Sequence, residues 1–116
     1  MLTGLILRES LMDDAVLPNL RITKKRIWPA LRRVKGQPFI WHAWTFEADD
    51  ENIPAVVDQL ARMLRKSWYV DASTTEEKFI IYPEKVFRYR RGDVAARQEA
   101  VDFGHAAGIP PAQLDW

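Results

Sequence analysis

One amphipathic segment, residues 52–66, constrains the fold more than any other feature of the chain. Acidic residues precede it and basic residues end it, an order that the helix dipole favours. Apolar residues spaced three and four apart lie on one side of a helix, and that side must be buried against other elements. The pattern therefore predicts a helix with a single buried stripe, made of Ile53, Val56, Val57, Leu60, Met63 and Leu64.

The residues after this helix predict a hairpin and a second helix. Three runs rich in aromatic and β-branched residues follow at 68–70, 79–82 and 86–89, separated by polar turns. Asp93 is the expected N-cap of the next helix, and Gly108 is expected just beyond its end. The buried stripe of this helix is narrow and consists mostly of small residues, so the helix can lie close to a sheet.

The first 48 residues predict three further strands, at 2–9, 20–28 and 39–48, with a loop or helical turn at 30–35. The whole chain, 1–116, is then a single α+β domain. We expect a mainly antiparallel sheet with the two main helices packed on one face. Residues 39–107 can trace the β-α-β-β-α part of a ferredoxin-like layout, whose missing closing strand one of the N-terminal strands would supply.

Composition excludes several classes of protein. The chain has no cysteine, which rules out a disulfide scaffold, thiolate catalysis and cysteine-ligated metal, and which fits the cytoplasm. The apolar stretch at the start is short and an acid follows it, so we expect no signal peptide, and no run suits a membrane span. Residues 1–45 hold eight Lys and Arg against three acids. Such asymmetry marks an anionic partner, two halves that face one another, or a solvated basic surface.

No recognisable catalytic or metal-binding motif is present. The two histidines, His42 and His105, are not at metal-ligand spacing, and the glycines form no phosphate-binding loop. Nucleophile-elbow and kinase signatures are also missing. We therefore predict no catalytic residue, no cofactor and no metal, and an enzyme is the less favoured class.

Polar side chains on the predicted strands nevertheless offer a candidate ligand site. Tyr69, Asp71, Tyr82, Tyr89 and Arg90 can line a polar pocket at one end of the sheet and hold a small polar ligand or an acid. The alternative is that these residues form ordinary cross-strand pairs.

A second candidate surface combines basic residues with aromatic strands. Lys24, Lys25 and Arg26 lie on a predicted strand, and a sheet with exposed aromatics and flanking cations can bind single-stranded nucleic acid. Nucleic acid is the disfavoured partner, because the pI is only about 8.1 and no RNA-recognition motif is present.

Part of the sequence resembles a known group. Segments 68–73, 86–93, 108–110 and 113–116 resemble a group of small uncharacterised bacterial proteins, and the resemblance covers half the chain. It implies a bacterial cytoplasmic protein. It brings no activity, ligand or catalytic residue with it.

The sequence thus favours a non-enzymatic cytoplasmic binding or interaction module. It is also a candidate homodimer, because the sheet has two possible free edges and the chain is rich in aromatic residues. Its alternatives are a small enzyme or small-molecule binder that uses the polar pocket, and a weak nucleic-acid binder. Leu114 and Trp116 are apolar and two residues apart, so we expect residues 112–116 to be docked on the domain. The other possibility is a protruding peptide that a partner reads.

Overall fold

The computed structural model describes residues 1–29 and 37–116. The loop or helical turn expected at 30–35 lies outside these residues. The strands are β1 (Leu2–Leu7), β2 (Arg21–Pro29), β3 (Ile40–Ala48), β4 (Val70–Ser73), β5 (Glu77–Tyr82) and β6 (Lys85–Arg90), and the helices are α1 (Ile53–Met63) and α2 (Val94–Ala106). Short 3-10 turns at Arg8–Ser10 and Leu17–Asn19 link β1 to β2.

The described strands form one six-stranded antiparallel sheet in the order β2-β3-β1-β4-β5-β6. The expected α+β class with an antiparallel sheet is therefore confirmed. Strand β1 pairs with β3 on one side and with β4 on the other, so that Leu5 lies between Thr45 and Asp71. Because β3 and β4 are both antiparallel to β1, they run parallel to each other, and α1 connects them. An N-terminal strand thus splits the β3-α1-β4 unit.

Helix α1 covers one face of this sheet with the stripe that its spacing predicts. Val56 and Leu60 are fully buried, and Pro54 is tolerated because it stands in the first turn. The same cluster takes in Ile6 and Phe46 from the central strands. This is the larger of the two apolar clusters among the described residues.

Helix α2 lies on the opposite face, which differs from the expectation that both helices share one face. Strand β5 is the cause, because it is apolar on both sides. Phe79 and Ile81 belong to the cluster under α1, whereas Ile80 and Tyr82 belong to a second cluster that contains Ala100 of α2. A strand with two apolar faces needs a cover on each.

The chain turns back over the sheet where α2 ends. Gly108 has φ +89°, and the N–H of Ile109 donates to the carbonyl of Gly104 at 3.0 Å while that of Gly108 donates to His105 at 3.1 Å. This pair of bonds is a Schellman motif, and it confirms Gly108 as the residue that ends the helix. Ile109 and Leu114 are buried in the second cluster, so the docked position expected for residues 112–116 is confirmed.

Helix α2 covers only part of the second face. Helix α2 lies over β5 and β6, and residues 109–116 extend that cover to Tyr69, the residue before β4. Within the described ranges, no helix lies over the part of this face formed by β2, β3 and β1. No helix among those residues is long and apolar enough to cross a membrane.

Candidate ligand-binding pocket

A concave pocket of about 620 Å³ opens on this part of the sheet, over which no described helix lies. It lies at the end where β1 and β2 finish and β3 and β4 begin. Ala112, Gln113 and Asp115 form its outer wall. Pockets that hold small ligands typically have volumes of about 300–1,000 Å³. The described lining residues are Leu5, Leu7, Trp28, Pro29, Trp41, Ser67, Trp68, Tyr69, Asp71, Ala112, Gln113 and Asp115.

Four aromatic rings dominate the lining. Trp28 of β2 lies opposite Trp41 of β3 in the strand register, so both side chains stand on the same face. Trp41 meets Trp68 edge to face, with ring centroids 5.2 Å apart and planes at 62°. Trp28 remains 36% exposed, whereas Trp68 is buried. The pocket therefore has packed aromatic rings at its base and one partly exposed aromatic side chain, Trp28, at its rim.

Tyr69 joins the pocket to the segment that follows α2. Its hydroxyl donates a hydrogen bond to the backbone oxygen of Gln113, and its ring packs 5.1 Å from that of Trp116. Burial raises the pKa of Tyr69 well above its usual value, and the charges of Asp115 and Asp71 raise it further. The phenol is therefore protonated at neutral pH. It acts as a fixed donor and not as a base.

Two carboxylates, Asp71 and Asp115, face the same space. Asp71 forms an ion pair with Lys78 of β5, with 2.6 Å between Oδ1 and Nζ, so its charge is balanced within the sheet. Asp115 is exposed and makes no ion pair with any described residue. None of the described lining residues is a Lys, Arg or His.

The structure separates the five residues that the sequence grouped as a candidate site. Only Tyr69 and Asp71 line this pocket. Tyr82 is buried under α2, where its hydroxyl donates to the carbonyl of Ala100 at 2.7 Å. Tyr89 lines a smaller cavity of about 270 Å³ near the start of α2, and Arg90 is exposed on the face that α1 covers. Trp116 connects two of them, since it packs on Tyr69 and donates to the Tyr89 hydroxyl at 3.0 Å.

The smaller cavity is bordered by cations that already have partners. Arg97 donates to the backbone oxygen of Trp116, Arg91 donates to Ser73 and Thr74, and Lys78 is paired with Asp71. Asp93 caps the helix there by accepting from the N–H of Ala96 at 3.0 Å, as the sequence predicts. Because these cations are already bonded within the protein, we assign the residues around this cavity a structural role.

The three basic residues that the sequence offers for nucleic-acid binding lie on β2, a strand at the edge of the sheet. Lys24, Lys25 and Arg26 are all exposed. In the strand register Lys24 pairs with Thr45 and Arg26 with Ala43, which places them on the face that carries the pocket. Lys25 points the other way and lies over the ring of Trp44 at 4.6 Å.

The sequence reasoning did not select Trp28 and Trp41 as pocket residues. Both stand on predicted strands, but their common face follows only from the β2–β3 register, which the sequence does not specify. The signal that could have found them is the run of alternating aromatics in β3 opposite a tryptophan near the end of β2.

The histidines do not assemble a metal site in the part of the chain that the structure describes. His42 is on β3, where its Nδ1 lies 2.9 Å from Glu9 Oε1, and His105 is exposed near the end of α2. No group of three or more His, Asp or Glu side chains among these residues is arranged to hold a metal ion.

Comparison with known proteins gives no assignment. No protein-family model matches the chain, and no curated protein or solved structure is similar enough to count as a match.

Proposed function

We propose that the protein is a non-enzymatic binding module of the bacterial cytoplasm that takes its ligand in the pocket at the sheet end. The observation that carries the proposal is a cavity of about 620 Å³ walled by three tryptophans and a tyrosine on a part of the sheet face that no described helix covers. An apolar pocket with a few convergent polar groups is the usual form of a ligand site. Ligand burial would remove the exposed part of Trp28 from water.

The contacts of Tyr69 and Asp71 support binding more than catalysis. Tyr69 is protonated and already donates to Gln113, and Asp71 is already paired with Lys78. A nucleophile activated by an adjacent base needs two free groups within hydrogen-bond reach, and these residues do not supply such a pair.

The indole N–H signals of the five tryptophans give a direct test by NMR with a panel of small fragments. We expect fragments to shift the signals of Trp28, Trp41 and Trp68. The signal of Trp44, which stands on the other face, should stay in place. Fragments that shift Trp44 alone, or a panel that shifts no indole signal, would contradict the proposal.

A matched pair of variants tests whether the pocket itself binds. Trp28→Ala removes the aromatic side chain at the rim. We expect the affinity for the fragments that bind the parent protein to fall by about fivefold or more. Ile27→Ala changes the preceding residue, which is 68% exposed and faces away from the pocket, and the affinity for the same fragments should not change. Equal losses in the two variants would point to a general effect on β2 and would count against the pocket.

The competing function is binding of single-stranded nucleic acid, and one observation favours it: Lys24 and Arg26 share a face with Trp28. A thymidine oligonucleotide provides the test. Affinity that falls steeply with salt, and that is lost on changing Lys24, Lys25 and Arg26 to Glu, would establish this function in place of ours. We expect no such binding, because the unpaired carboxylate of Asp115 in the pocket repels phosphate.

A further inference from the structure

We infer that the ligand of this pocket is a monovalent organic cation, an inference that rests on the proposed function and names its ligand class. The sign of the local charge is the first step. The charged side chains among the described lining residues are Asp71 and Asp115, and both are acids. A carboxylate without an ion-pair partner on the wall of a pocket attracts cations and repels anions.

The second step is the number of free charges. Lys78 balances Asp71, whereas Asp115 pairs with no described residue, so the described lining contains one carboxylate without an ion-pair partner. One carboxylate is too few for a divalent metal ion, which prefers several oxygen ligands. A ligand with a single positive charge matches this balance.

The third step is the chemistry of the walls. Trp28, Trp41, Trp68 and Tyr69 present aromatic rings to one space, and the face of an aromatic ring attracts a cation that it can desolvate. Ammonium groups with alkyl substituents combine positive charge with an apolar surface, so they gain from both the rings and the carboxylate. Leu5 and Leu7 extend the apolar surface for the body of such a ligand.

Three probes of nearly the same shape isolate the charge. Choline is the cation, 3,3-dimethylbutan-1-ol is its neutral counterpart, and 3,3-dimethylbutanoate is a related anion. We expect titration of the full chain to show choline binding about five- to thirtyfold more tightly than the alcohol, the range that contact of a cation with aromatic rings supplies. The carboxylate should bind more weakly than the alcohol.

Asp115→Asn tests the source of the selectivity without changing the shape of the side chain. The variant should lose most of the preference for choline and keep its affinity for the alcohol. Glu99→Gln removes the same charge from an exposed position on α2, and should leave both affinities unchanged. An equal loss of choline affinity in the two variants would show a general effect of net charge and would overturn the role of Asp115.

The outcomes separate this inference from the proposed function. Equal affinity for choline and the alcohol, or tighter binding of the carboxylate, would overturn the cationic ligand and leave the binding pocket standing. No response of the indole signals to any probe or fragment would overturn both. A fourth probe, N-acetyl-arginine amide, distinguishes the source of the cation: tighter binding than choline would identify an arginine side chain of a peptide, and weaker binding a free ammonium compound.

Discussion

The hydroxyl of Tyr82 lies 2.5 Å from the point where a Cβ on Gly104 would stand. No residue other than glycine fits at 104 without displacement, because Tyr82 is fixed by its bond to the carbonyl of Ala100 and Leu114 closes the other side at 2.8 Å. The absent side chain lets α2 lie directly on β5. This contact anchors the second apolar cluster and, with it, the segment that forms the outer wall of the pocket.

Gly104→Ala should therefore destabilise the protein although alanine is the better helix former. Propensity alone would stabilise the helix by about 1 kcal/mol. Overpacking a buried contact costs about 1–3 kcal/mol, and the net free energy of unfolding in urea should fall. The double variant Gly104→Ala, Tyr82→Phe removes the clashing oxygen and should recover part of the loss. A Gly104→Ala variant more stable than the parent would contradict this account.

Much of the fold follows from the sequence because its elements have strong local patterns. The stripe of α1, the cap at Asp93 and the end of α2 at Gly108 all depend on residues close in sequence, and all are confirmed. The placement of α2 did not follow. Strand β5 is apolar on both sides, and a pattern without alternation does not say which face each helix covers.

The candidate site was harder to predict from the sequence. It depends on the register between strands and on how the segment after α2 packs back on the sheet. Tyr69 and Asp71 were selected and do line the pocket, but Tyr89 and Arg90 lie elsewhere. Strand register sets Trp28 beside Trp41, and docking of residues 112–116 adds the outer wall. Both are long-range relationships that a single sequence does not encode in any local spacing.

The tyrosines predict a loss of stability at alkaline pH. Burial is the main cause that raises the pKa of Tyr69, Tyr82 and Tyr89, which are all the tyrosines in the chain. Each folded-state pKa lies above the unfolded value of about 10, so the folded state binds more protons above that pH. The stability that these groups contribute is fully present below about pH 10 and is lost as pH rises through the folded-state values.

Absorbance of tyrosinate near 295 nm, read together with circular dichroism, checks this prediction. A free tyrosine is about half ionised at pH 10. We expect a smaller tyrosinate signal than that at pH 10, and then a rise that coincides with loss of the folded structure. Tyrosines that titrate near pH 10 while the fold persists would contradict the raised pKa values.

Basic residues on the sheet edges predict how ionic strength affects any self-association. The expected homodimer remains a prediction, and pairing of two β2 strands is the simplest form of it. A two-fold axis near Lys25 would set Lys24 of one copy opposite Arg26 of the other, and like charges in that position are destabilising. Salt screens this repulsion.

Sedimentation at low and high salt is the measurement. Association should strengthen with salt, and replacing Lys24 and Arg26 by Thr should bring it about at low salt. Association that weakens with salt would exclude β2 pairing and indicate attraction between opposite charges.

Residues 112–116 should contribute several kcal/mol to stability through Leu114 and Trp116. Leu114 is 5% exposed and lies against Gly104, and the Trp116 indole N–H bonds to the Tyr89 hydroxyl. Truncation of a buried leucine to alanine costs about 2–5 kcal/mol. Deleting residues 112–116 removes both contacts and uncovers Tyr69. At about 4 °C per kcal/mol for a domain of this size, the melting temperature should fall by about 10 °C or more.

Point variants separate packing from charge in this segment. Leu114→Ala should reproduce a large part of the loss, whereas Asp115→Asn changes an exposed side chain and should melt with the parent. An unchanged melting temperature after the deletion would mean that the segment does not stabilise the domain. The segment would then be a peptide available to a partner, and the pocket would have no fixed outer wall.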